Sequence, residues 1–249
     1  MDIIKMVDQA FDKDSTLRVL VYGAAGTGKT TLYGSFPKPM LVFDFDDKLK
    51  PIYGVEGIDV LKYSVEDAGE CTKVFTRFNR EWKEAKNLPY KTIVVDSLTS
   101  FDTLNLRHFV MQGGAAPDAA ATLPVYGGQS GYYSTFLSMA TKNMAVTYGK
   151  NVIIVAHECY FIDKESGVHR IMPLITGSSI MEKLPSMFEE VWYLTRGEDA
   201  DKRFLHYNPY KKAIATSCLL KGGNGEIELP DINADPSAYD VIMKKAVKK

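Results

Sequence analysis

Short, nearly continuous apolar runs alternate with longer amphipathic stretches along this chain. Runs of this kind are typical of strands buried on both faces of a parallel sheet. They occur at Leu17–Tyr22, Met40–Phe45, Thr92–Val95 and Asn151–Ala156. The helical spacing of apolar residues elsewhere predicts helices over 3–11, from near Gly28 to Pro37, over 66–86, over 98–111 and over 129–148.

The pattern changes after the run that ends at Ala156. Two apolar stretches flank Lys164–Gly167, a turn-favouring segment, so we predict a hairpin from Cys159–Asp163 and Val168–Met172. Further along we predict a helix over 178–187, the next sheet strand at Glu190–Thr195, and an antiparallel edge from Arg203–Tyr207 and Ala213–Leu219. Residues 112–128 are rich in Gly, Ala and Pro, which indicates a mobile loop.

This order of elements predicts an α/β fold with a mainly parallel sheet, helices on both faces, and antiparallel edge strands near the C-terminal end. Neither a repeat nor a linker interrupts the 249 residues, so we predict a single domain over 1–249. Its expected parts are a short N-terminal helix over 2–12, a core over 15–230, and a C-terminal helix with a basic tail over 235–249.

Composition narrows the classes of function. The formal net charge is −1, so any contact with nucleic acid would depend on a local patch rather than an overall basic field. The three cysteines lie far apart, and no Cys/His cluster has zinc spacing. The sequence has no 18-residue apolar run and no basic-then-apolar start, so we expect a cytoplasmic protein without membrane contact.

The most specific motif follows the first predicted strand and opens a helix. It fits the pattern GxxxxGK[ST] at every fixed position. In such a loop the glycines let backbone N–H groups point at phosphate oxygens, the lysine reaches the β- and γ-phosphates, and the last hydroxyl ligates Mg²⁺. We therefore predict an ATP site formed by Gly23, Ala24, Ala25, Gly26, Thr27, Gly28, Lys29, Thr30 and Thr31.

Polar residues at the ends of three other strands are candidates for the remaining chemistry. Asp96 ends the third strand, where a carboxylate can hold Mg²⁺ together with Thr30. Asp46 follows the second strand and is a candidate for positioning the attacking water, with Glu158 as the alternative. His157 ends the fourth strand, where it can sense the γ-phosphate, although a lone histidine is usually structural.

Together these residues resemble the RecA-like P-loop ATPases. The resemblance is closest to phage nucleotide-binding proteins of that class, which are associated with recombination and single-strand annealing. It is carried by Gly23–Thr31, Val42–Asp47, Thr92–Leu98 and Val152–Glu158, and continues in weaker form through Pro173–Leu194. It thus covers about residues 15–230 and makes the expected fold a RecA-like P-loop NTPase.

The resemblance implies further properties. The family has a catalytic acid, usually glutamate, where Asp46 stands, and a polar sensor where His157 stands. It places ATP between the subunits of a homo-oligomer, where a basic residue from the neighbouring subunit completes the site. Candidates for this basic residue lie in the corresponding region of this chain, at Arg196, Arg203, Lys211 and Lys212. The alternative is that these residues are ordinary surface charges. Its loops at 111–128 and 159–178 would contact single-stranded DNA.

Three functions compete on these grounds. The first is a Mg-dependent ATPase that acts on single-stranded DNA with other phage replication or recombination proteins, in the host cytoplasm. Tyr126, Tyr132 and Tyr133 would then be candidates for base stacking, with packing in their helix as the alternative. The second is an ATP-binding switch with little turnover. The third is a small-molecule kinase, but such enzymes usually close an arginine-bearing lid over the nucleotide and this chain has few arginines.

Overall fold

The computed structural model describes residues 16–163, 166–198, 202–231 and 233–247. The predicted N-terminal helix over 2–12 lies outside these ranges, as do the turn residues Lys164 and Glu165 and the last two lysines of the basic tail.

Nine of the strands found in the described residues form one sheet. The strands of this sheet are β1 (Arg18–Gly23), β2 (Met40–Asp44), β3 (Ile58–Lys62), β4 (Thr92–Asp96), β5 (Asn151–Ala156), β8 (Glu190–Arg196), β9 (Arg203–His206), β10 (Thr216–Ser217) and β11 (Glu226–Leu229); β6 (Glu158–Ile162) and β7 (His169–Pro173) pair separately. The order is β11-β9-β8-β1-β5-β4-β2-β3, with β10 beside β8. The strands from β8 to β3 are parallel and β9, β10 and β11 are antiparallel, which confirms the predicted fold class.

The central strand β1 shows why this sheet is covered on both faces. Leu20 and Tyr22 point into one apolar cluster, whereas Val19 and Val21 point into another. The side chains of a strand alternate between faces, so a continuous apolar run can only be satisfied by two layers of helices. Parallel neighbours β5 and β8 flank β1 and fix the strand that leads into the phosphate loop.

Six α-helices cover the sheet in the described residues. They are α1 (Lys29–Tyr33), α2 (Cys71–Ala85), α3 (Leu98–Gln112), α4 (Leu123–Ser138), α5 (Ser178–Lys183) and α6 (Ala238–Val247). Aromatic residues of α2, α3 and α4 fill the first cluster with rings 4.7–5.8 Å apart, as in the Phe78–Phe101 and Phe78–Phe136 pairs. This layer accounts for the amphipathic pattern of the predicted helices.

Part of the predicted mobile loop over 112–128 is helical, so that prediction was wrong at its C-terminal end. Helix α4 begins at Leu123, and Pro124 occupies its first turn, where proline is tolerated. Gly128 lies within this helix and packs closely against α3, because a Cβ at this residue would lie 2.9 Å from Phe109 Cδ1. The helix continues to 147 as a π-helical segment, Met139–Thr147.

The edges of the sheet also differ from the prediction. Only Thr216–Ser217 of the expected strand at Ala213–Leu219 is extended, and it pairs with β8; the partner of β9 is β11. The short parallel edge strand β3 was missed because its burial is incomplete and its sequence carries Asp59 and Lys62. The predicted hairpin after Ala156 is present as β6 and β7, in register at Tyr160 and Ile171.

Candidate nucleotide site

The phosphate loop links β1 to α1, and two of its glycines have conformations that other residues disfavour. Gly28 precedes α1 with φ 90° and ψ 22°, in the left-handed region. At Gly23 a Cβ would lie 2.4 Å from the carbonyl oxygen of Leu194 in the neighbouring strand β8. The glycines of the motif are therefore required by close backbone approach as well as by the curl of the loop.

Lys29 folds back over this loop. Its Nζ donates to the carbonyl oxygens of Gly23 at 2.8 Å and Ala24 at 2.7 Å. The Thr27 hydroxyl donates to the same Ala24 carbonyl at 2.9 Å. Burial lowers the pKa of Lys29, and the nearby carboxylate of Asp96 opposes that shift. The ammonium group is thus held at the mouth of the loop, where a phosphate chain would lie.

Asp96 ends β4 directly beside the start of α1. Its Oδ2 lies 3.3 Å from the Thr30 hydroxyl oxygen and accepts a hydrogen bond from the Tyr33 hydroxyl at 2.9 Å. Burial raises the pKa of Asp96 to about 6, while the Tyr33 hydrogen bond lowers it and the carboxylates of Asp46 and Asp44 raise it. A nearby divalent cation would stabilise the ionised form of this buried group.

The donor set at this point fits Mg²⁺. A carboxylate and a hydroxyl are hard oxygen ligands, and Mg²⁺ commonly combines one or two of these with water and substrate phosphates. In the parts of the chain that are described, no group of three or more His, Cys, Asp and Glu side chains is placed to hold a metal ion by itself. Thr30 and Asp96 supply two oxygen ligands, which would leave the other positions of an octahedral Mg²⁺ to phosphate oxygens and water.

Asp46 lies opposite the phosphate loop and is held by residues that follow the ends of β4 and β5. Its Oδ2 lies 3.0 Å from His157 Nε2, and its Oδ1 accepts from the Ser97 hydroxyl at 3.0 Å. Its side chain is 7% exposed. Burial raises the pKa of Asp46, but hydrogen bonds from His157, Ser100 and Ser97 outweigh burial and lower the pKa to about 2. The carboxylate is consequently ionised and fixed in direction.

The other acidic candidates have different surroundings. Asp44 Oδ1 accepts from the backbone N–H groups of Asp46 and Asp47 at 3.1 and 2.9 Å, so it shapes the turn that presents Asp46. Asp47 pairs with Lys62 at the surface. Glu158 interacts with the Tyr193 hydroxyl. The residues that line the cleft above the loop include Asp46 and do not include these three.

The main chain of His157 joins the site to the segment after β7. The Thr99 hydroxyl accepts from the His157 N–H at 3.0 Å and donates to the Leu174 carbonyl at 2.8 Å. The Leu174 N–H donates to the His157 carbonyl at 2.8 Å. Two residues further on, the N–H of Thr176 donates to Asp102 in α3. A displacement of His157 would therefore be transmitted directly to this segment.

A cleft of about 340 Å³ brings most of the predicted site residues together. Its lining comprises Ala25, Gly26, Gly28, Lys29, Thr30, Thr31, Lys48, Asp46, Pro51, Asp96, His157, Arg196 and Arg203. Gly23, Ala24 and Thr27 shape the loop behind it. Sequence reasoning missed Lys48 and Pro51, and also Tyr33, whose position three residues after Thr30 on a helix was the available signal.

The basic residues considered as contributions from a neighbouring subunit fall into two groups. Arg196 and Arg203 line the cleft of their own chain. Lys211 and Lys212 do not line it, and the Lys211 ammonium lies 5.2 Å from the centre of the Tyr210 ring. The first pair is therefore already beside the phosphate loop without a second subunit.

The three tyrosines considered for base stacking differ in exposure. Tyr133 is fully buried and donates to Asp102 at 2.7 Å, so the stacking prediction is wrong for this residue. Tyr132 is partly buried and donates to Asn79 at 2.6 Å. Tyr126 is exposed near the start of α4.

Across the described part of the chain, no helix is both long and apolar enough to span a bilayer.

The sequence was compared with models of protein families and with proteins of curated function. A family model described as an AAA domain matches residues 15–217. No protein of curated function matches the sequence significantly.

Two solved structures align with this fold. The RadB recombinase is 15% identical, with a TM-score of 0.43 over 76% of this chain and 79% of that chain. A KaiC-like protein from the hyperthermophilic archaeon Pyrococcus horikoshii OT3 is 16% identical, with a TM-score of 0.42 over 88% of this chain and 91% of that chain.

Proposed function

This chain belongs to the AAA domain family, and we propose that it binds Mg-ATP in the cleft above the phosphate loop and hydrolyses the bond to the γ-phosphate. The observation that carries the proposal is the meeting of Lys29, Asp96 and Asp46 in one cleft. An ammonium, a Mg²⁺-ligating carboxylate and a second, ionised carboxylate are the groups that phosphoryl transfer to water requires.

The loop would bind the phosphate chain through its backbone N–H groups and Lys29. The positive end of α1 and the ammonium both favour negative charge at this position. Thr30 and Asp96 would hold Mg²⁺, which supplies charge neutralisation on the β- and γ-phosphate oxygens. Tyr33 orients the Asp96 carboxylate through its 2.9 Å hydrogen bond.

Asp46 would align the attacking water with the γ-phosphorus by accepting a hydrogen bond from it, and the proton of that water would leave with the phosphate product. Protein donors His157, Ser97 and Ser100 hold the two carboxylate oxygens, which together have about four lone pairs, so one remains to accept from water. His157 would report loss of the γ-phosphate, because its backbone is tied to Thr99 and Leu174. The in-line displacement then needs no covalent intermediate on the protein.

We further propose that the ATPase acts with single-stranded DNA, as a homo-oligomer with ATP at subunit interfaces, in phage-type recombination or replication. Support comes from the four motifs described above and from the hairpin β6–β7, which follows His157 directly. Tyr160 is exposed on this hairpin and Arg170 lies in β7, so a stacking group and a charge are available there.

The test is phosphate release by the purified protein with ATP and Mg²⁺, with and without single-stranded DNA. We expect phosphate release that depends on Mg²⁺ and increases when DNA is added. In Lys29→Ala the release should fall by at least about 100-fold, because the variant loses contacts to the phosphates both in the bound state and in the transition state. Arg80→Ala, on the exposed face of α2, is the control and should behave as wild type.

One alternative has structural support of its own. Both oxygens of Asp46 already accept protein hydrogen bonds, which favours a nucleotide-binding switch with slow turnover. Tight ATP binding without phosphate release, at any DNA concentration, would support the switch and refute the ATPase. Absence of any ATP binding would refute both.

A further inference from the structure

Two arginines face each other at the end of the hairpin formed by β8 and β9. Arg196 is the last residue of β8, Arg203 is the first of β9, and the two are directly paired in the antiparallel register. Both line the cleft that contains the phosphate loop. Like charges directly opposite each other on neighbouring strands are destabilising, so this pairing calls for a physical reason.

The arginines contact the loop at its glycines. A Cβ at Gly28 would lie 2.5 Å from Cδ and 3.2 Å from Nε of Arg203. A Cβ at Gly26 would lie 3.8 Å from Cζ of Arg196. The Arg203 side chain therefore lies directly against the backbone of Gly28, at the start of α1.

Few carboxylates balance this charge in the described residues. Arg203 has one acidic neighbour, Asp231, at 3.8 Å, and the Asp231 side chain is 86% exposed. Arg196 forms no ion pair with a described residue. The same cleft is lined by Lys29 and Lys48 and by the carboxylates of Asp46 and Asp96, so four basic side chains face two acidic ones there. The arrangement is matched to a ligand with several negative charges.

We propose that Arg196 and Arg203 bind the polyphosphate of a nucleoside triphosphate from within the same subunit as the phosphate loop. The proposal rests on the proposed nucleotide-binding function and adds the residues that grip the phosphates opposite the loop. A guanidinium group donates two parallel hydrogen bonds to phosphate oxygens, which suits this role better than an ammonium. These two basic side chains are then supplied in cis, by the subunit that also supplies the phosphate loop.

The first experiment measures binding of a fluorescent ATP analogue with Mg²⁺ at low protein concentration. We expect Arg196→Ala and Arg203→Ala each to weaken binding roughly tenfold or more, the effect of losing a charge-assisted hydrogen bond. Arg203→Gln keeps the stem on Gly28 and should lose affinity to the same extent, which covers the case that Arg203→Ala does not fold. The control is Lys202→Ala, whose side chain faces Glu228 at 4.0 Å and should bind as wild type.

The outcomes separate this proposal from the proposed function. If the wild type fails to bind, or binds without dependence on Lys29, the nucleotide site itself is wrong. If the wild type binds through Lys29 while the arginine variants bind within about twofold of it, only the arginine proposal is overturned.

A mixing experiment tests the cis assignment. Arg203→Ala and Lys29→Ala proteins are combined, and phosphate release by the mixture is compared with release by each alone. The assay uses ATP well below the wild-type dissociation constant, where each variant alone releases little phosphate. If Arg203 acts within its own subunit, no subunit in the mixture has both groups, and release equals the mean of the two variants. Recovery to roughly a quarter of wild type, the share of intact interfaces in a random mixture, would show that Arg203 acts across an interface and would overturn the proposal.

Discussion

His157 Nε2 lies 3.0 Å from Asp46 Oδ2, although 111 residues separate the two along the chain. The contact joins the ends of β5 and β2 across the end of β4, where Asp96 stands. Parallel strands that end at the same edge of a sheet bring their following residues together. The proposed water-positioning and γ-phosphate-sensing residues are thus in direct contact, and a change at one changes the other.

Replacing Asp46 by Asn removes the carboxylate and keeps its shape. We expect ATP turnover to fall by about 100-fold or more while ATP affinity changes less than about threefold, because a group that positions water contributes to the transition state and little to binding. Asp47→Asn is a matched control, since Asp47 pairs with Lys62 outside the cleft and Asn tolerates its φ of 53°. Steady-state phosphate release and analogue binding measure both quantities.

The same assay decides between Asp46 and Glu158. Glu158→Gln should retain turnover within about threefold of wild type, because Glu158 interacts with Tyr193 and lies outside the cleft lining. A loss as large as that of Asp46→Asn would move the water-positioning role to Glu158.

Tyr33→Phe deletes the hydroxyl that donates to Asp96 at 2.9 Å. The Mg²⁺ concentration for half-maximal ATP binding should rise by about tenfold, as for other groups that orient a metal ligand. The pKa of Asp96, already raised to about 6, should rise further without this donor. The defect should therefore be larger at pH 6 than at pH 8, where the carboxyl is ionised in either protein. Tyr53→Phe, at an exposed residue, is the control, and an unchanged Mg²⁺ requirement in Tyr33→Phe would contradict the orienting role.

Asp102→Ala should lower the free energy of unfolding by about 3 kcal/mol or more, because several buried donors lose their acceptor at once. Asp102 accepts from Gln129 at 2.8 Å, from Tyr133 at 2.7 Å and from the N–H and hydroxyl of Thr176 at 2.8 and 2.5 Å. Urea denaturation of the two proteins provides the comparison. Asp118→Ala, at an exposed loop aspartate, should leave the midpoint unchanged. A loss below about 1 kcal/mol in Asp102→Ala would show that these donors find other acceptors.

Stability should decrease as the pH falls from about 6.5 to about 4 because of His206. Burial lowers the pKa of His206 to about 4 in the folded state, with Lys211 adding to the shift. Below the ordinary pKa of about 6.5 the unfolded chain binds the proton and the folded chain does not, so protonation favours unfolding. The loss is at most about 3 kcal/mol, and Glu226, 3.6 Å from Nδ1, reduces it.

Denaturation of wild type and His206→Gln at pH 7, 6 and 5 isolates this contribution. The difference in unfolding free energy between the two proteins should shift in favour of the variant as the pH falls. A difference that stays constant with pH would mean that His206 is protonated equally in both states.

The sequence was sufficient to predict the central sheet and most of the cleft. Short apolar runs indicate strands that are buried on both faces. Lys29 and Asp96 occupy fixed positions relative to the ends of their strands. The contact between His157 and Asp46 was not predictable, since it depends on how far each strand extends before it turns. The cis placement of Arg196 and Arg203 depends in the same way on the register of β8 and β9.

The misplaced elements have physical causes. The start of α4 was missed because Gly127 and Gly128 are typical of loops, whereas Gly128 packs closely against Phe109 within the helix. The strand at Ala213–Leu219 was overpredicted because apolar residues also occur where the backbone packs in irregular form. Tertiary contacts outweigh local preference in both segments.

The two carbonyl contacts of Lys29 have a consequence for how nucleotides compete for the site. An ammonium has three protons, and the carbonyl oxygens of Gly23 and Ala24 accept two of them. A triphosphate whose oxygens reach this nitrogen would accept a hydrogen bond from the third proton while both carbonyl contacts persist. A monophosphate that stops short of Lys29 would gain nothing from the ammonium, so the loop would discriminate among nucleotides by the length of the phosphate chain.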